Sequence, residues 1–416
     1  MMRPIAFALL SSSASACSHP SATMADAPVA VDSSNDGDSS ADAAAPRAEF
    51  RGIYVVEKPV PGALSANDTT ALATSGVDGV LLHVPWNNIE PTMGGFHFYD
   101  VEQRIETIAQ AGRVVELSID AGADDPAWLF APAPDGAAVQ SISLDFSRHS
   151  STTNCNTYTL PLPWDTSYAM QWTAMVNALA ADLRSNAMWW NAIRVVKLSG
   201  INTSTEELRL PLETPAPGSC ITTDAPALWA ARGYTPANVV AGWVPLVSAI
   251  ATSFPDKIYS ITIIANDNAF PPIDDTGTVV SPADAPDVTD LLIAQAVSQV
   301  PPSQVVIQSD FLMPGAPAGA STSAKTVAEV TRYTTLIAFQ TNDYLGPTGG
   351  AACGGTSSAA DPCIGDEYEQ ELESGIHPNG AADPLRAQYL EVYAPNVVAD
   401  YGPAAVQQAH DELFGN

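Results

Sequence analysis

Cations are scarce in this chain: 16 Lys and Arg stand against 46 Asp and Glu, a formal net charge of −30 over 416 residues. A surface so charged repels phosphate backbones and anionic headgroups, which excludes nucleic acid as a partner. Cysteine is scarce too, with 5 in all. No C-x-x-C pair occurs and no His stands at ligand spacing, so neither a metal site nor any other cofactor is expected. G-x-S-x-G is absent, and His149 and His377 have no nucleophile motif beside them, which disfavours a Ser/His/Asp hydrolase. No Gly-rich phosphate turn follows the first apolar run, as a doubly wound dinucleotide fold would require. Past the N-terminus no stretch reads as long and apolar enough to span a bilayer. What is present is an ordinary globular balance, 46% apolar and 15% charged, long enough for one domain or two.

The first residues, MMRPIAFALLSSSASAC, offer Arg3, a short apolar stretch and small residues ending at Cys17. They resemble a bacterial lipoprotein signal, with ASAC as the lipobox and Cys17 as the lipidated residue. ASA also suits ordinary signal-peptide cleavage. Residues 18–47 are Ser, Ala, Asp and Pro, a flexible tether. The expectation is an exported monomer whose contact with the membrane is limited to an N-terminal lipid. Export permits disulfides. Cys155, Cys220, Cys353 and Cys363 remain, and four cysteines allow three pairings. Proximity favours Cys353–Cys363, which leaves Cys155–Cys220.

From residue 48 onward short apolar runs recur near Gly52, Gly79, Val114, Ile193, Ile258, Val305, Thr335 and Gln388. Continuous rather than alternating apolarity suits parallel strands buried on both faces. Helical stripes lie between them, as in Val101, Ile105 and Ile108, or Trp172, Val176, Leu179 and Leu183. Eight strand–helix units predict an α/β fold, a (β/α)8 barrel over residues 48–416. Helix-to-strand links are short. Strand-to-helix links are long, near 120–167, 201–236, 265–286 and 340–365, and carry all four of these cysteines. Such loops build the functional face of a barrel.

The segment VPWNNIEPTMGGFHFYD supplies Trp86, Ile89-Glu90-Pro91, Gly94-Gly95, Phe96, Phe98 and Asp100, and Pro126, Trp128 and Leu129 follow in the next unit. Over residues 77–130 the chain resembles the (β/α)8 retaining glycoside hydrolases, the superfamily of endoglucanases, β-galactosidases and β-xylosidases. Asp100 reads as a helix N-cap and Glu90 as an acceptor for loop amides. Trp86 either stacks on a pyranose ring or is buried.

The resemblance implies an acid/base Glu directly after an Asn at the fourth strand's end, and a nucleophilic Glu at the seventh's. This chain departs at both. Asn202 is followed by Thr203, and the first acids are Glu206 and Glu207. Strand seven ends IAFQTND, with Gln340 in the nucleophile's place, and an amide cannot form the usual glycosyl ester. Neighbouring side chains diverge in an extended loop, so at most one of Glu206 and Glu207 enters the cleft. Glu391, inside the apolar run YLEVY, must point into the barrel mouth or pair with a buried base. It is the expected second carboxylate. Asp310, Asp267, Asp120 and Glu57 are further strand-end acids. The sugar-orienting candidates are Trp86, Asn87, Trp128, Asn202, Gln340 and Asn342. The expected function is hydrolysis of glycosidic bonds in a poly- or oligosaccharide. A barrel that binds carbohydrate without cleaving it is the alternative.

Overall fold

The structure is a computed structural model that describes residues 50–57, 62–131, 138–147, 154–203, 205, 207–264, 269–312, 322–341 and 362–415. Ten strands are described: β1 (Gly52–Val56), β2 (Gly79–Pro85), β3 (Val114–Asp120), β4 (Ser141–Phe146), β5 (Asn156–Pro161), β6 (Ile193–Lys197), β7 (Ile258–Ile263), β8 (Val305–Leu312), β9 (Leu336–Thr341) and β10 (Tyr389–Tyr393). Eight of them, all but β4 and β5, close into a barrel of order β1-β10-β9-β8-β7-β6-β3-β2 with every pairing parallel. The (β/α)8 architecture is therefore as the apolar runs predict.

Alternation along each strand sorts the side chains. Val80, Leu82 and Val84 of β2, like Leu390 and Val392 of β10, join the core beneath the outer helices. Their neighbours Leu81, His83, Tyr389, Glu391 and Tyr393 consequently face the lumen. Tyr54, Val195, Ile258, Val306, Ala338 and Tyr389 plug its lower end. The helices follow the predicted stripes, including Tyr99–Gln110, Thr166–Arg184, Val288–Gln299 and Thr322–Tyr333.

Three sequence expectations change. Helix Tyr99–Gln110 begins after Phe98, so Asp100 lies in its first turn and accepts from the Gly62 amide at 3.0 Å rather than capping it. Helix Pro236–Ser253 is long and apolar enough to cross a membrane. Here it is a barrel helix that buries Val239, Trp243, Leu246 and Ile250. The long connection after β3 also contains an antiparallel hairpin, β4–β5, whose short, half-polar strands carry no strong apolar run.

Candidate active site

Above the apolar plug the lumen turns polar. Glu116, Lys197, Ser260, Gln308 and Glu391 are fully buried there. Lys197 Nζ donates to Glu391 Oε1 at 2.7 Å, Gln308 Oε1 at 2.9 Å and Thr262 Oγ1 at 3.1 Å, and it lies 3.6 Å from Glu116 Oε1. The Tyr389 hydroxyl is 2.8 Å from Glu116. Burial pushes Glu391 up to about 8 although the Lys197 ammonium opposes the rise, and Glu116, hydrogen-bonded to it, adds to the rise. Two carboxyls, one proton between them and one ammonium make a neutral cluster, which is the condition for sealing charge away from water. Glu391 is thus corrected as a catalytic candidate. It has taken the buried base, not the mouth.

The mouth itself is ringed by three side-chain pairs at and just beyond the strands' C-terminal ends. His83 Nδ1 lies 3.1 Å from both carboxylate oxygens of Asp120, and the Ser118 hydroxyl donates to Asp120 at 2.8 Å. Gln340 Nε2 donates to the Tyr393 hydroxyl at 2.9 Å. Glu207, on the loop after β6, accepts from the Thr205 hydroxyl and is electrostatically linked to Asp310 of β8. Burial opposes ionisation of Glu207. The Arg209 charge, the hydrogen bond from Thr205 and the link to Asp310 outweigh it and hold Glu207 below the usual carboxylate range.

The loop bearing Glu207 is anchored on several sides. Asn202 spends its amide within the loop, accepting from Gly200 N at 3.0 Å and donating to the Thr205 carbonyl. It is a brace rather than a ligand for sugar. Ala123 N donates to the Thr203 carbonyl at 2.6 Å. That approach depends on Gly122, at φ +71°, where a Cβ would stand 2.2 Å from the Asn202 oxygen. Further along, Cys155 and Cys220 form a disulfide with Cα atoms 5.6 Å apart, tying the hairpin to the loop. Asp145 of β4 reinforces it, accepting from Thr157 Oγ1 at 2.6 Å and from the backbone N of Thr222 at 3.1 Å.

The other candidates divide. Trp86 is 0% exposed, donates to Glu90 Oε2 at 2.8 Å and packs edge-on against Trp128 and Trp172. Burial wins, and no face remains for a pyranose. Glu90 does satisfy a loop amide, that of Gly94, at 2.8 Å. Trp128 is half-buried with its indole N–H on the Glu90 carbonyl, and Asn87 is half-buried on the short helix Trp86–Ile89. Glu57 is removed from the strand-end acids by a buried pair with Arg104 at 2.8 Å, and burial still pushes it up to about 7. Cys17, Glu206, Asp267, Asn342 and Cys353 lie outside the described residues, as does the side chain of Cys363. Among the described residues no cluster of His, Cys, Asp and Glu could hold a metal ion. Tyr393 was not singled out from the sequence. Its signal is the alternation Tyr389, Glu391, Tyr393, which puts all three in the lumen.

Residues 58–184, less than half of the chain, match the sequence profile of glycoside hydrolase family 42, described as beta-galactosidase. That span holds the Trp86–Asp100 and Pro126–Leu129 segments. No curated protein matches the sequence. Among solved structures the chain is similar to the catalytic domain of beta-amylase from Paenibacillus polymyxa, with a TM-score of 0.53 and 12% identity over 86% of this chain and 97% of that one. It is also similar to a beta-galactosidase from Rahnella sp. R3, with a TM-score of 0.50 and 11% identity over 88% of this chain and 56% of that one. At such identities the likeness establishes the fold, a (β/α)8 barrel of the kind found in glycoside hydrolases.

Proposed function

We propose that the protein is an exported glycoside hydrolase whose acid centre is the Glu207–Asp310 pair at the barrel mouth. The observation that carries this reading is the placing of two buried, electrostatically linked carboxyls together, one from the loop after the fourth barrel strand and one from the sixth strand. In this reading Asp310 is the acid that protonates the glycosidic oxygen, and Arg209 favours Glu207 as the ionised member. Two carboxyls in contact stand on one side of a scissile bond, so they are a donor centre and not the opposed dyad of a double displacement. Release of reducing ends from a broad glycan panel tests this. Glu207→Gln and Asp310→Asn should each lower turnover by about 100-fold or more. Unchanged turnover in both variants would overturn the assignment.

A second reading is favoured by Gln340, the amide in the nucleophile's place: a barrel that binds carbohydrate without cleaving it. Tight oligosaccharide binding with no hydrolysis across the same panel would select it. Export is supported by the signal-like N-terminus and by the Cys155–Cys220 bridge, since disulfides persist in oxidising compartments. We propose lipidation at Cys17. Metabolic labelling with a fatty acid that is lost in Cys17→Ser would support it, and labelling retained in that variant would refute it.

A further inference from the structure

The sixth barrel strand, β8, is bulged where it reaches the mouth, and the bulge turns an aromatic ring out to solvent beside Asp310. We propose that this residue, Phe311, is a stacking platform for a pyranose ring of the substrate. The inference rests on the reading of the mouth as a carbohydrate site.

Register reveals the bulge. β8 pairs with β9 at Ser309–Phe339 and next at Leu312–Thr341, so three steps along β8 match two along β9. One extra residue is therefore held within Asp310–Phe311. The side chains follow the slip. Gln308 lies in the lumen, where it accepts from Lys197, and Ser309 faces outward to Ser323 of the helix Thr322–Tyr333. Alternation returns Asp310 to the lumen, and without a bulge it would put Phe311 in the outer apolar layer and Leu312 in the lumen. Leu312 is instead fully buried in that outer layer. Phe311 is the residue left over, 43% exposed in a strand whose other residues are all buried. Its backbone is secured there, since its N donates to Ser309 Oγ and its carbonyl accepts from Ser323 Oγ, each at 3.3 Å.

Exposure of a phenyl ring forgoes the burial that a regular strand would have given it. Bulges recur at barrel rims and beside active sites, where they re-aim a side chain. This one sets a ring directly after Asp310, with Cα atoms about 3.8 Å apart. The face of a phenyl ring is apolar and carries the negative side of its quadrupole. One face of a pyranose presents C–H bonds that are apolar and weakly positive, so the two surfaces are complementary. A neutral sugar also suits a chain of net charge −30 better than an anionic ligand does. A sugar seated on Phe311 is held next to the acid that the proposed cleavage uses. The ring supplies affinity and position, and Asp310 supplies the chemistry.

The test measures binding of xylotetraose, cellotetraose, maltotetraose and β-1,4-galactotetraose to the intact protein by titration calorimetry, with KM and kcat for any that is cleaved. Phe311→Ala should weaken binding of the recognised tetraose about 10-fold or more, with circular dichroism unchanged. Where that tetraose is cleaved, the loss should appear in KM and leave kcat nearly unchanged. Phe311→Leu, apolar but not flat, should lose nearly as much, and Phe311→Trp should keep the wild-type affinity. Wild-type affinity in Phe311→Ala or Phe311→Leu would overturn the inference, and cleavage by the same variants would leave the glycosidase reading standing. Neither binding nor cleavage of any tetraose by the wild type would overturn both.

Discussion

Two carboxyl pairs, each with one cation nearby, occupy two levels of the same barrel. Deep in the lumen are Glu116 and Glu391 with Lys197, and at the mouth are Glu207 and Asp310 with Arg209. Composition is the same, yet the arrangement differs. Lys197 has no exposed surface and touches Glu391 at 2.7 Å, and its other hydrogens go to Gln308 and Thr262. Arg209 is half-buried and directs its Nε to Thr203 at 2.8 Å, so it biases Glu207 without capturing it. The lower pair is closed by its cation and serves stability. The upper pair lies at the C-terminal end of the strands, the face on which barrels of this fold carry their sites. Acids are assigned by the partners around them.

That contrast is most easily broken at Lys197. Lys197→Met strands two buried carboxyls and should cost about 3–5 kcal/mol of stability, measured by urea denaturation. A loss under about 1 kcal/mol would mean that the lumen is wet. The same cluster sets a pH dependence. Glu391 is raised to about 8 and Glu57 to about 7 in the folded protein, both above their unfolded value of 4.5. The folded state therefore binds more protons than the unfolded state between these limits, and stability falls as pH rises through that window. Thermal scans from pH 5 to 9 should show this fall, and Glu391→Gln should flatten it. Stability rising over the same range would contradict the buried proton.

At the mouth the expected loss is in turnover rather than folding: about 100-fold or more for Glu207→Gln and Asp310→Asn, with stability nearly unchanged. Reducing the Cys155–Cys220 bridge, which closes a sequence separation of 65, should cost about 2–4 kcal/mol. The smallest effect belongs to Arg209→Met. Stability should change by less than about 1 kcal/mol, while the acid limb of the pH–rate profile moves to higher pH as Glu207 loses its charge partner. A profile that does not move would separate Arg209 from the pair.

Most of the barrel was legible because strands buried on both faces must be continuously apolar, and eight such runs leave few alternatives. The hairpin escaped because β4 and β5 bury only one face and sit inside a connection already read as a loop. Glu391 was half legible. An acid within YLEVY demanded either the mouth or a buried base, and only the fold brings Lys197, 194 residues away, to meet it. Glu207 and Asp310 were each visible as strand-end acids, but their contact joins the fourth and sixth barrel strands and has no local signature. Trp86 was read from its motif and decided by packing, since the surrounding rings of Trp128, Tyr168 and Trp172 leave it no exposed face.

The most direct test is the pH–rate profile of glycoside cleavage by the wild type beside Glu207→Gln and Asp310→Asn, on a panel of 4-nitrophenyl glycosides. The account predicts cleavage by the wild type, a basic limb that reports loss of the Asp310 proton, and loss of about 100-fold or more in both variants. Full turnover in both variants would contradict it.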